Sequence, residues 1–142
     1  MIAPAPESRR VTVSVFVAAR STFVGTKKFV HFHMPAELAS ACRWRIHGAI
    51  TGGVYPPTSL VPDGKLPMRV DFNGRNVIAQ SVTRGDNFAF EVEPEDMPAG
   101  LNHIVFMNAS PNLGDNNAYY FGFDAIVLEP IRPADGSILF LR

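Results

Sequence analysis

Hydrophobic and polar residues alternate with a period of two along most of the chain, and no long stretch shows helical periodicity. Val11–Val17 (VTVSVFV) reads as a first strand. Lys28–Met34 (KFVHFHM) sets Val30, Phe32 and Met34 on one face against His31 and His33 on the other. In Arg43–His47 (RWRIH), Trp44 and Ile46 oppose Arg43, Arg45 and His47, the pattern of a strand with one dry and one wet face. Met68–Phe72, Asn76–Gln80, Phe88–Val92, Leu101–Asn108, Tyr119–Glu129 and Ser137–Leu141 bring the expected total to about eight or nine strands.

The punctuation agrees with this reading. Asn73 and Gly74 between two alternating runs are a strong tight-hairpin signal. Gly52–Pro67 carries Gly52, Gly53, Pro56, Pro57, Pro62, Gly64 and Pro67, so a long surface loop is expected there. Pro35–Ala41 is the one plausible helical segment, a turn or two at most, with Pro35 suited to its start. Short strands with regular turns predict an all-β domain: a two-sheet antiparallel β-sandwich of jelly-roll or immunoglobulin-like topology.

Tyr119–Glu129 raises a particular question, because strict alternation puts Tyr120, Gly122, Asp124, Ile126 and Leu128 on one face and Phe121, Phe123, Ala125 and Val127 on the other. Both faces are apolar, so a central strand is expected. Asp124 would then lie where the strand enters the core, its carboxylate satisfied by backbone amides in a structural role.

Composition narrows the function classes. With 46% hydrophobic and 18% charged residues, the 142-residue chain can bury one core, and a single domain over 11–142 is expected behind an extended arm over 1–10. Lys plus Arg and Asp plus Glu both number 13, so no net field favours nucleic acid or an anionic membrane. The lone Cys42 excludes an internal disulfide and a cysteine zinc site, and is expected to be a small core residue. The start, MIAPAPESRR, has no signal-peptide core and no run of about eighteen apolar residues occurs. Assembly in the cytoplasm, with display on a virion surface, is the expected localisation.

Four segments in order, Arg43–Ala49 (RWRIHGA), Met68–Gly74 (MRVDFNG), Met97–Phe106 (MPAGLNHIVF) and Phe123–Glu129 (FDAIVLE), resemble the galactose-binding-like jelly roll at the C-terminus of rhamnogalacturonan lyases. The resemblance covers residues 28–130. It implies that Pro98, Ala99 and Gly100 form a tight entry to a strand, that Asn102 bonds adjacent backbone, and that Ile104 and Phe106 face the core. Trp44, Asn102 and Asp124 are then structural. Related modules hold a calcium ion partly through acidic residues of their first strand, and Val11–Phe23 contains none.

Sugar recognition needs a ring to stack on the pyranose face and planar polar groups for its hydroxyls. The loop residues of this kind are Tyr55, Asn73, Arg75, Asn112, Asn117 and Tyr119. Asn112–Asn117 also offers oxygen ligands for calcium, without the spacing of an EF-hand. A rival reading starts from His31, His33 and Glu37, followed by Pro98, Gly100 and His103, which approximate the two halves of a cupin metal signature. That pattern departs at Trp44, where a glycine is expected, and at Asn108, one residue late, a shift that reverses a strand's facing. No nucleophile elbow or glycine-rich phosphate loop accompanies it.

The sequence therefore predicts a non-catalytic jelly-roll module without a required cofactor. Its expected setting is a larger assembly, such as a phage capsid decoration or fibre-associated protein, with capsid protein or further copies of itself as partners and glycans bound through its loops. The two rivals are a free-standing carbohydrate-binding module related to polysaccharide-lyase accessory domains and a metal-dependent cupin-type enzyme.

Overall fold

The computed structural model describes residues 9–18, 27–53, 63–109 and 120–131. Nine strands lie among them: β1 (Arg9–Ala18), β2 (Lys27–Met34), β3 (Arg43–Ala49), β4 (Gly52–Gly53), β5 (Leu66–Phe72), β6 (Arg75–Val82), β7 (Asn87–Val92), β8 (Gly100–Asn108) and β9 (Tyr120–Ile131). A short helix α1 (Ala36–Ala39) follows β2, and a 3-10 turn, Pro94–Asp96, precedes β8. Ser137–Leu141 lies outside the described residues. β1 begins at Arg9, which pairs with Leu128, so the strand takes in two residues expected to belong to the arm.

The strands form two antiparallel sheets. One runs β1-β9-β3-β7, with β4 also on β9, and the other runs β2-β8-β5-β6. Successive segments cross repeatedly from one sheet to the other, giving the expected β-sandwich of jelly-roll kind. Alternation decides which side of each strand is dry. In β7, Phe88, Phe90 and Val92 are buried while Asn87, Ala89 and Glu91 are exposed. In β5, Leu66, Met68, Val70 and Phe72 are buried in the same way.

Aromatic side chains join the layers. Phe106 of one sheet packs against Phe123 of the other at a ring-centroid distance of 4.4 Å, and both meet Phe88 at 5.5 Å in edge-on geometry. Such pairs add about 0.5–1.5 kcal/mol each beyond the area they bury. Trp44 and Ile46 are fully buried in the same core, as their alternation predicts. Among the described residues the Trp44 indole N–H has no hydrogen-bond partner. Cys42 is half-buried and packs against the core edge.

The β5–β6 hairpin turns as Asn73 and Gly74 require: both have positive φ, 47° and 86°, the backbone of a tight primed turn. A register shift follows between Val70 and Asp71, and Asn76 fills it. Its amide donates to the carbonyls of Val70 at 3.1 Å and Ile78 at 3.0 Å.

Strand β9 is central in its sheet, between β1 and β3. Its alternation does not run through. Phe121 and Phe123 are buried, and then so are Ile126 and Leu128, so the inward phase slips by one residue between them. The register with β1 shifts opposite this point, between Thr12 and Val15. Asp124 falls in the slip and is exposed, so the expectation of a carboxylate held at the core entrance is corrected. A bulge re-aims side chains in this way, and it costs no buried charge.

Candidate functional site: a polar groove on the five-stranded sheet

The irregular stretch of β9 shapes the outer face of its sheet. Beside it, β3 carries Gly48, where an added Cβ would lie 2.7 Å from the Ala125 carbonyl oxygen and 2.6 Å from Cζ of Phe88. The missing side chain lets backbone and ring close in at this point. Above the contact lies an open hollow of about 420 Å³, lined by Arg45, His47, Gly48, Ala49, Thr51, Asn87, Phe88, Asp124, Ala125 and Val127. This volume is in the range of small-ligand clefts, roughly 300–1,000 Å³. A second hollow of about 510 Å³, lined by Arg45, Ala89, Phe90, Glu91, Glu129, Pro130 and Ile131, adjoins it. Arg45 lines both.

The charges here are arranged unevenly. Arg45 is paired in register with Glu91 on one side and Glu129 on the other. Both carboxylates are engaged elsewhere. Glu91 accepts from Arg43 at 3.3 Å, and Glu129 accepts from Nε2 of His47 at 3.0 Å. Arg43 is also held by Glu93 at 3.0 Å. Arg45 has no ion-pair partner among the described residues, and its guanidinium keeps its fork of donors for another group. Because a carboxylate can only accept, the His47 ring carries its proton on Nε2 in this contact, which leaves Nδ1 as an acceptor when the ring is neutral.

The groove therefore combines donors on Arg45 and Asn87, acceptors on Asp124, and a small apolar strip of Ala49, Ala125 and Val127. That composition suits a ligand with alternating hydroxyls and C–H surfaces. Sequence reasoning placed Arg45 and His47 on a wet face, but it did not bring them together with Asp124 and Asn87.

The loop residues expected to bind sugar divide in two. Tyr55, Asn112, Asn117 and Tyr119 lie outside the described residues. Asn73 and Arg75 are described, and their side chains bond to other residues of the chain. Asn73 donates to Oδ1 of Asn102 at 2.8 Å and accepts from the His103 backbone amide at 3.0 Å. Arg75 donates to Asp96 at 3.2 Å. Asn102 is fully buried and donates to the carbonyls of Pro98 at 3.0 Å and Gly100 at 3.2 Å, the local role implied by the family resemblance.

The cupin-type arrangement is not formed by these residues. His31, His33 and His103 stand on the outer face of the four-stranded sheet, because their neighbours Val30, Met34 and Ile104 take the inner face. Glu37 is exposed on α1. Among the described residues no three His, Cys, Asp or Glu side chains meet as metal ligands do. Asn112–Asn117, the calcium candidate, is outside the described residues. No described helix is long and apolar enough to cross a membrane.

No family model and no curated protein matches the sequence. Solved structures similar to it include the CBM36-1 domain of a multidomain xylanase from the hindgut metagenome of Trinervitermes trinervoides, at 7% identity over 89% of this chain and 100% of that one, with a TM-score of 0.46. A ruminal GH26 endo-beta-1,4-mannanase is similar at 12% identity over 80% of this chain and 20% of its own, with a TM-score of 0.44. A salicylyl-acyltransferase from a tetracycline biosynthetic pathway is similar at 12% identity over 89% of this chain and 42% of its own, with a TM-score of 0.36. The similar structures thus include a carbohydrate-binding module, though a xylanase's and not a rhamnogalacturonan lyase's. None of the three TM-scores reaches 0.5.

Proposed function

We propose that this protein is a non-catalytic carbohydrate-binding module, and that it takes an oligosaccharide along the groove on its five-stranded sheet. The observation that carries this reading is Arg45: a guanidinium without an ion-pair partner among the described residues, set between two adjoining hollows, while both carboxylates opposite it are drawn off by Arg43 and His47. Planar forks of donors suit the vicinal hydroxyls of a sugar ring, and Asn87 and Asp124 complement them. The resemblance of the four sequence motifs to a polysaccharide-lyase accessory domain supports the same ligand class.

His47 has a binding role in this reading: Glu129 orients its imidazole, and the ring borders the groove beside Arg45. The assembly role expected from the sequence, with a capsid or with further copies of the chain, has no observation behind it in the described residues. The test is a glycan array followed by calorimetry on the strongest hit. Binding that weakens at least tenfold in Arg45→Ala supports the proposal, and an array without hits at millimolar sugar rejects it.

A further inference from the structure

The outer face of the four-stranded sheet, opposite the groove, holds a second group of side chains that sugar binding does not use. β2 and β8 run antiparallel with His31 directly opposite His103, so both imidazoles project from the same face. Directly opposed residues of a ladder have Cβ atoms about 4.5–5.5 Å apart. Their ring centroids are 6.1 Å apart and tilted by 49°. Two imidazoles sharing one ion, with metal–nitrogen bonds of about 2.0–2.1 Å, place their centroids roughly 5–6 Å apart. A small turn about the side-chain bonds reaches that distance.

The ring of Phe29 lies two residues along β2, its plane 7° from that of His31 at a centroid distance of 6.3 Å. Neither His31 nor His103 makes a side-chain hydrogen bond to a described residue, so a ligand nitrogen on each is open.

We infer that His31 and His103 form a two-imidazole chelate for a borderline divalent transition ion, Cu²⁺, Ni²⁺ or Zn²⁺, with water completing the coordination. Imidazole selects these ions over hard ones such as Mg²⁺. His33 shares the face, but the residue opposite it is Leu101, an exposed aliphatic side chain, so it lacks the directly opposed imidazole that pairs His31 with His103.

The experiment is calorimetry of the full chain with Zn²⁺, with Mg²⁺ as the control, together with NMR of the imidazole ring protons. Expected are one site per chain, no heat with Mg²⁺, and perturbation of the His31 and His103 ring signals. His31→Gln and His103→Gln should each weaken Zn²⁺ binding at least tenfold, and His33→Gln less than threefold. These are surface positions, and an unchanged amide spectrum will verify that each variant is folded. Zn²⁺ binding that survives both His31→Gln and His103→Gln, or that is lost equally in His33→Gln, overturns the assignment, as does an absence of binding at millimolar Zn²⁺.

Discussion

The carbonyl oxygen of Ala125 occupies space that a side chain on Gly48 would need, 2.7 Å from where its Cβ would stand. This contact joins β3 to the irregular stretch of β9 and sets the floor of the groove. In Gly48→Ala the methyl group would also strike the Phe88 ring, which is wedged against Phe106 and Phe123. Overpacking of this kind costs about 1–3 kcal/mol. Chemical denaturation should show a loss in that range, and ligand affinity should fall with it because Asp124 and Ala125 move. A variant as stable as the parent would mean that β9 yields at this point.

Asn102 is the polar keystone of the β5–β6 turn and the entry to β8. Its amide serves Pro98, Gly100 and Asn73 at once, with no exposure to solvent. Asn102→Ala leaves two carbonyls and the Asn73 amide short of partners. Each buried group so stranded costs about 1–3 kcal/mol, and solvent access at the turn reduces the sum, so a loss of about 2–4 kcal/mol is expected in urea denaturation. A loss under about 0.5 kcal/mol would show that water replaces the side chain freely.

Asp71 contributes a small acid sensitivity. Partial burial by itself would raise its pKa, but hydrogen bonds from Arg69 and Asn76, and the charges of Arg69 and Lys27, outweigh that and hold it below its ordinary value. A carboxyl whose pKa is lower folded than unfolded stabilises the fold above the unfolded value, about 3.9. The contribution fades as pH falls through the lowered folded value. Side-chain NMR titration should place Asp71 below an ordinary aspartate, and Asp71→Asn should flatten the acid limb of the stability profile. A titration at or above the ordinary value contradicts this.

Cys42 should be a slow thiol. Burial raises its pKa, and a hydrogen bond from the Ile131 backbone only partly offsets that. Little thiolate exists at neutral pH under such conditions. Reaction with a disulfide reagent at pH 7 should be several-fold slower in the native protein than in urea. Equal rates would show that the chain around Cys42, at the start of β3, opens freely.

Much of the sandwich is readable from the sequence because most strands have one wet face. In β3, β5, β7 and β8 the alternation alone places Trp44, Val70, Phe90 and Ile104 inside. The tight turn at Asn73 and Gly74 is legible for a different reason, since both positions need positive φ. The alternation fails where a strand is irregular. In β9 both faces look apolar, so nothing in the residue pattern reveals the slip between Phe123 and Ile126 that turns Asp124 outward. Gly52 and Gly53 have no side chains to show a pattern, and the bridge of β4 to β9 falls within an expected loop. The groove was hidden on the same account: it brings Arg45, Asn87 and Asp124 together from three strands through register, which periodicity does not encode. Asn73 and Arg75, chosen as loop residues for sugar, have the composition of binding residues but use their hydrogen bonds internally.

Ligand recognition on the sheet face around Arg45 can be tested directly. Amide NMR of the labelled protein, titrated with the oligosaccharide that scores highest on an array, tests it residue by residue. Perturbations should cluster at Arg45, Thr51, Asn87 and Asp124 and vanish in Arg45→Ala. Shifts confined to the turn around Asn73 and Arg75, or a response that Arg45→Ala leaves unchanged, would contradict it.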